Sequence, residues 1–341
     1  MDAKKFDGTI SKFHKVGSIV LAMIFLLVLV FAIVSSPDLS ETIKDAAAQF
    51  LPDDSVSITP DINYANSKDK QQTGDLYMPS AKVSSAAVAG DLGRKNPSAI
   101  ILVHGGSWTK GDKRDLNDAG TARWLAKQGW IVFNINYRLS GNGGEFPNDI
   151  LDVKRAIAYI RERQKSMHLD PDRIFVIGSS SGATTALLAA YGITFAAEPS
   201  EKVMAVASIS GPTMLEKVAA NPYLKTYLQG YFKSPPSDKE LAKLTSEMSP
   251  IERMQNAIPT ICVHGDEDRN VPMEHSVELC KRLQAKGIEC QLIPVQGAGH
   301  FIGGMSRNLA LQKILDFFTK ISDEKAERPK ETIDVSKTRS Q

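Results

Sequence analysis

Cysteine is scarce in this 341-residue chain, and its three copies, Cys262, Cys280 and Cys290, show no CxxC spacing. A zinc knuckle and a thioredoxin-like redox motif are therefore not indicated. Cys280 and Cys290 can pair if the protein is exported, or remain buried thiols. The six histidines include no HExxH, which removes the helical zinc-protease pattern, and nothing else in the sequence calls for a metal or an organic cofactor. Charge of one sign is lacking too. The formal net charge is +2, and a nucleic-acid binder would instead concentrate Lys and Arg on one face. Long apolar runs are absent except for one, Gly17 to Val34, which carries no charge and follows Lys4, Lys5, Lys12 and Lys15.

That run is long enough to cross a bilayer and longer than the usual apolar region of a cleavable signal. Bulky Ile33 and Val34 make a poor cleavage site, so the run reads as an anchor in preference to a signal peptide, with secretion after cleavage as the alternative. The lysines ahead of it place residues 1–16 in the cytoplasm and the bulk of the chain on the extracytoplasmic side. Residues 35–54 read as a stalk, 55–321 as the globular domain, and 322–341, charged and short of large apolar residues, as a disordered tail.

With 42% hydrophobic residues the domain can bury a substantial core. Short apolar runs at Ser98–Val103, Trp130–Tyr137, Ile174–Ile177, Val203–Ser208, Thr260–His264 and Gln291–Val295 have the character of strands buried on both faces. Segments of helical period separate several of them: Leu116–Lys127, the stretch opened by Pro147, Pro272–Lys286 and Met305–Ile321. Two further strands are expected near Val56–Tyr64 and Thr73–Met78. This alternation predicts an α/β fold with a mostly parallel sheet and helices on both faces.

The run Ile174–Ile177 stops at Gly178-Ser179-Ser180-Ser181-Gly182 and gives way to an Ala-rich, helix-favouring stretch. A strand, a sharp turn and a helix around G-x-S-x-G leave the central residue, Ser180, at the tip. By composition alone the pattern arises in about one chain in ten of this length, so its partners decide its meaning. A serine hydroxyl needs a base and a group to orient that base. Downstream, His264 to Pro272 and Gly297 to His300 each follow a strand, on the same sheet edge as the turn. His300 is the base, and Asp268 is preferred as the acid over Asp266 and Glu267 because it lies deeper in its loop. Asp266 more naturally pins the loop through backbone amides.

Acyl transfer places negative charge on the carbonyl oxygen, which preorganised amides stabilise. The loop His104-Gly105-Gly106-Ser107-Trp108 supplies such donors at Gly106 and Ser107, joined by the amide of Ser181, while His104 braces the loop. Residues 211–253, between strands, are read as an irregular stretch that forms a small cap insertion. Within it Tyr223, Tyr227 and Tyr231 fall at helical spacing, a stripe that more often packs such a cap onto the body; as the alternative, with Trp108 they are candidates to line a substrate pocket.

Taken together, Asp75-Leu76-Tyr77-Met78-Pro79, the HGGSW loop, Asn136-Tyr137-Arg138-Leu139, Asp172-Arg173-Ile174 leading into the GSSSG turn, Ser249-Pro250-Ile251, His264–Pro272 and Gly299-His300 resemble the α/β-hydrolase-fold serine esterases of the carboxylesterase and hormone-sensitive-lipase-like branch. The loop departs from the HGGG form of many members and is closer to the HGGxW form of kynurenine formamidases and bacterial feruloyl or acetyl esterase-like proteins. The resemblance implies a serine carboxylesterase acting through an acyl-enzyme on small or medium acyl esters. An amide or peptide hydrolase with the same triad is the alternative, and a catalytically silent scaffold is disfavoured by the complete set of site residues. The expected partners are a small-molecule ester and the lipid bilayer at residues 17–34, with no nucleic acid.

Overall fold

The computed structural model describes residues 54–80, 96–192, 201–220, 225–226, 228–229 and 236–327. The apolar run at 17–34, nearly all of the stalk, and Tyr223, Tyr227 and Tyr231 lie outside the described residues. Among the described residues no helix is long and apolar enough to cross a membrane.

Eight strands form one sheet: β1 (Val56–Asn63), β2 (Thr73–Pro79), β3 (Ala99–Val103), β4 (Ile131–Ile135), β5 (Ile174–Ser179), β6 (Val206–Ile209), β7 (Thr260–Gly265) and β8 (Cys290–Val295). Their order is β1-β2-β4-β3-β5-β6-β7-β8. The first two pairings, β1 with β2 and β2 with β4, are antiparallel, and every later pairing is parallel. The helices are α1 (Leu116–Lys127), α2 (Asn148–Glu162), α3 (Gln164–Met167), α4 (Ser181–Ala190), α5 (Leu215–Ala220), α6 (Asp238–Met248), α7 (Glu274–Ala285) and α8 (Gly304–Glu327).

The period-2 geometry of the strands sorts their side chains between two cores. Ile101, Val103, Ile174 and Val176 face one side, where Ile150, Val153 and Ile157 of α2, Leu187 of α4 and Leu279 of α7 close over them. Ile100, Leu102, Phe175 and Ile177 face the other, against Leu125 of α1 and Leu311, Ile314 and Phe318 of α8. Both faces are therefore dry at the centre of the sheet, which explains why β3, β5 up to its glycine and β4 apart from Asn134 are apolar without alternation. A mostly parallel sheet in this order, wrapped on both faces, is the α/β-hydrolase architecture.

Two expectations are corrected. The disordered tail does not begin at residue 322, because α8 continues to Glu327. Ser322 is buried, with its hydroxyl 3.5 Å from Met204 Sδ, and Lys320 pairs with both Glu289 and Glu324. An amphipathic face with i,i+4 charge pairing extends the helix past the last large apolar residue. The stretch from Gly211 to Arg253, expected to be irregular, holds α5, α6 and a short turn of 3₁₀ helix at Pro250–Glu252. The capping box between Ser237 and Glu240 starts α6.

Candidate active site

The turn after β5 forces Ser180 to φ 51° and ψ −124°, a conformation that L-residues hold only when the surroundings impose it. The imposition is steric. A Cβ on Gly178 would lie 2.4 Å from the carbonyl oxygen of Gly182, and one on Gly182 would lie 2.2 Å from that of His104. The strand, the helix and the loop after β3 thus approach so closely that only glycine fits at both offsets. The amide of Ser180 is held by the Ile209 carbonyl at 2.8 Å, so its hydroxyl stands at the carboxyl edge of the sheet.

Two more loops at that edge meet it. Ser180 Oγ lies 2.9 Å from His300 Nε2, and His300 Nδ1 lies 2.7 Å from Asp268 Oδ2. A carboxylate only accepts, so His300 donates from Nδ1 and its Nε2 lone pair accepts the Ser180 proton. Asp268 is buried whereas Asp266 and Glu267 are exposed, which separates the three neighbouring acids. Asp266 instead accepts the Gly297 amide at 2.7 Å and so joins the acid loop to the histidine loop.

The loop after β3 completes the site. Gly106, Ser107 and Trp108 all have positive φ, and the amides of Gly106, Ser107 and Ser181 make no hydrogen bond among the described residues. His104 is buried, donates from Nδ1 to the Gly105 carbonyl and stacks on Tyr137 at 4.6 Å between ring centres. Burial holds its pKa below the ordinary imidazole value. The Tyr137 hydroxyl donates to the His104 carbonyl at 3.0 Å, and Asn136 grips the far end of the loop, accepting from the Lys113 amide and donating to Asp112. The Asn136-Tyr137-Arg138 stretch is thus a clamp on the loop, its Arg138 fixed by a bidentate pair with Asp152.

A profile of the BD-FAE family matches residues 90–283, more than half of the chain. The chain belongs to the BD-FAE family.

Among curated relatives, this BD-FAE protein is 29% identical over 259 residues to the esterase LipC of Mycobacterium tuberculosis, covering 71% of this chain and 63% of LipC. It is 43% identical over 98 residues to the esterase LipQ of the same organism, covering 29% of this chain and 23% of LipQ. The chain therefore spans less than two thirds of these relatives' length. A solved carbohydrate esterase from gut microbiota superposes with a TM-score of 0.65 at 24% identity, over 80% of this chain and 99% of that one. Esterase B of Lactobacillus rhamnosus superposes with a TM-score of 0.65 at 20% identity, over 90% and 98%. These superpositions establish the fold.

Burial alone would raise the Asp268 pKa, but hydrogen bonds from His264, His300 and the Val271 amide outweigh it and hold the carboxyl well below its ordinary value. Oδ1 accepts the amides of Asn270 and Val271, each at 2.9 Å. His264 is the residue that the sequence reading left without a role. It is fully buried, with Nε2 donating to the Val271 carbonyl at 2.7 Å and lying 3.2 Å from Asp268 Oδ2. Its Nδ1 accepts from the Ser276 hydroxyl at 2.7 Å. The available signal was its place at the end of a strand, four residues before the acid.

Two cavities flank Ser180 in the BD-FAE protein. The smaller, about 140 Å³, is lined by Trp108, Pro212, Val218, Leu228 and Val271. Trp108 is buried in a cluster with Leu215, Val218 and Leu241, and its indole N–H donates to Thr185 at 3.1 Å. Helices α5 and α6 therefore pack over this side. The larger cavity, about 420 Å³, lies between the loop after β3, α1 and α8.

Cys280 and Cys290 are joined in a disulfide. The Cys262 sulfur lies with theirs within 4.8 Å, the one metal-ligating cluster among the described residues. Two of its three sulfurs are bonded to each other and the third is a buried thiol whose pKa burial raises to about 12, so this set is not arranged to take a metal.

Proposed function

We propose that this protein is a serine carboxylesterase that cleaves short acyl esters through an acyl-enzyme. The contact of Ser180 Oγ with His300 Nε2, itself aligned by Asp268, carries the reading. His300 takes the hydroxyl proton as Ser180 attacks the ester carbonyl, and the Asp268 carboxylate stabilises the resulting imidazolium. Amides of Gly106, Ser107 and Ser181 receive the developing oxyanion, each donor contributing about 3 to 4 kcal/mol. His300 then returns the proton to the departing alkoxide, and water repeats the sequence on the acyl-enzyme. The small cavity takes the acyl group against its apolar wall of Trp108, Pro212, Val218, Leu228 and Val271. Relatives named as esterases favour an ester over an amide substrate.

Residues 17–34 serve, in this reading, as a membrane anchor that holds the domain on the extracytoplasmic side. Support comes from the uncharged run and the four lysines before it, and the Cys280–Cys290 disulfide is consistent with an oxidising compartment.

The test is hydrolysis of p-nitrophenyl esters of increasing acyl length. Acetate and butyrate should be cleaved far faster than long-chain esters. Ser180→Ala should lower kcat by about 10⁶-fold with an unchanged circular dichroism spectrum. Comparable activity in the variant would overturn the mechanism.

A further inference from the structure

The larger cavity beside Ser180 sets two polar groups into a wall that Leu102, Ile177, Ile302 and Leu311 make largely apolar. Asp118, in the first turn of α1, lines it half-buried, its carboxylate bonded to its own backbone amide. Ser210, at the end of β6, lines it as well, and its hydroxyl is buried without a hydrogen-bond partner. An unsatisfied hydroxyl of this kind is costly unless a polar ligand or water meets it, so a polar atom belongs at this part of an otherwise apolar wall. Phe301, next to the catalytic histidine, is 66% exposed and lines the same space.

The charges around Asp118 come from three elements. Lys110, Asp112 and Asp115 belong to the loop leading into α1, Arg307 to α8, and His300 to the loop before it. Arg307 is turned onto Asn308 through Nε and a terminal nitrogen, at 3.1 and 2.7 Å. Burial first, then the charges of Asp115 and Asp112, raise the Asp118 pKa to about 7.

We propose that this cavity is a leaving-group subsite for cationic alcohols, in which the Asp118 carboxylate pairs with the positive charge and Phe301 covers it. The proposal rests on the esterase reading and names the alcohol half of its substrate. An aromatic face and a carboxylate are the two groups that favour a quaternary or protonated amine. Asp118 acts on specificity and takes no part in bond making.

Acetylcholine and its carbon isostere, in which a tert-butyl group replaces the trimethylammonium, differ only in charge. Their ratio of kcat/KM cancels the pH dependence of the catalytic steps that both share. In the wild type the ratio should rise about tenfold from pH 5.5 to 8.5 with a midpoint near 7, because Asp118 gains its charge across that interval. Asp118→Asn, nearly the same size, should flatten the ratio while leaving the isostere's kcat/KM within about twofold. Asp118→Ala should do the same if the asparagine variant folds poorly. A ratio flat with pH in the wild type, or equal in wild type and variant, overturns the subsite.

Calorimetric titration of Ser180→Ala with choline reads binding without turnover. Binding that strengthens with pH, and is lost in Ser180→Ala/Asp118→Asn, supports the subsite even if ester hydrolysis fails. No binding above pH 8 overturns it even if p-nitrophenyl esters are cleaved.

Discussion

Asp268→Asn is the perturbation that separates an oriented base from a merely adjacent one. Three donors converge on this carboxylate, the amides of Asn270 and Val271 on Oδ1 and His300 Nδ1 on Oδ2, with His264 Nε2 3.2 Å from Oδ2. An amide side chain offers one accepting oxygen where the carboxylate offers two. If that oxygen turns to His300, the NH₂ group faces two buried amides and strands both, at about 1–3 kcal/mol each. If it stays on the amides, the NH₂ group faces His300, which must then accept at Nδ1 and carry its proton on Nε2. The second arrangement keeps the loop intact, so it prevails. It leaves Ser180 facing an N–H that cannot take its proton. The expected loss in kcat/KM is about 10⁴-fold, or about 5 kcal/mol of transition-state stabilisation. The assay is p-nitrophenyl acetate hydrolysis with a thermal melt alongside it. Folding stability should fall by about 2–3 kcal/mol at pH 7 through the lost charge-assisted bonds, while the protein stays folded at assay temperature. The native carboxyl has a pKa lowered from 3.8, so its stabilisation is present above that value and is lost as pH falls through the folded pKa. The wild type should therefore approach the variant in stability only in strong acid. A variant within tenfold of wild-type activity, or a gap in stability that is unchanged between pH 7 and pH 2, would refute this account.

Two further outcomes follow from the same contacts. His264→Gln removes a donor 3.2 Å from Asp268 and the acceptor of the Ser276 hydroxyl. It should lower kcat about tenfold with KM nearly unchanged, because the two loop amides still hold the carboxylate; steady-state kinetics with a melt as control would check this. Cys280→Ser with Cys290→Ser opens a loop of ten residues' separation. Denaturant unfolding should show about 3 kcal/mol less stability, with unchanged kcat/KM, since the disulfide is no part of the triad.

Much of this molecule was legible before any coordinates. The strand positions followed from apolar runs of four to eight residues, because a sheet covered on both faces admits little else. Ser180 was singled out from three consecutive serines by glycine offsets, and the packing now gives the reason in the contacts that a Cβ at Gly178 or Gly182 would make. His104 as a brace and Asp266 as a loop pin were readable as well, from their positions beside a glycine-rich turn and a loop closure. Less legible was the extent of α8, whose final turn is held by charge pairs and a buried serine with no apolar signal.

The sequence by itself determined what local chemistry can encode: the strand-turn-helix around Ser180, the order of nucleophile, acid and base, and the amides of the loop after β3. These depend on residues adjacent in the chain, where backbone sterics and hydrophobic period act. Only the tertiary structure decided what depends on groups far apart in sequence. It chose Asp268 over its neighbours by burying it beneath His264, and it paired Cys280 with Cys290. It also divided the space around Ser180 into a small pocket under Trp108 and a larger one beside Asp118. Which acid is buried and which carboxylate lines a cavity are properties of the folded surface, set by how loops from β3, β6, β7 and β8 converge on one edge of the sheet.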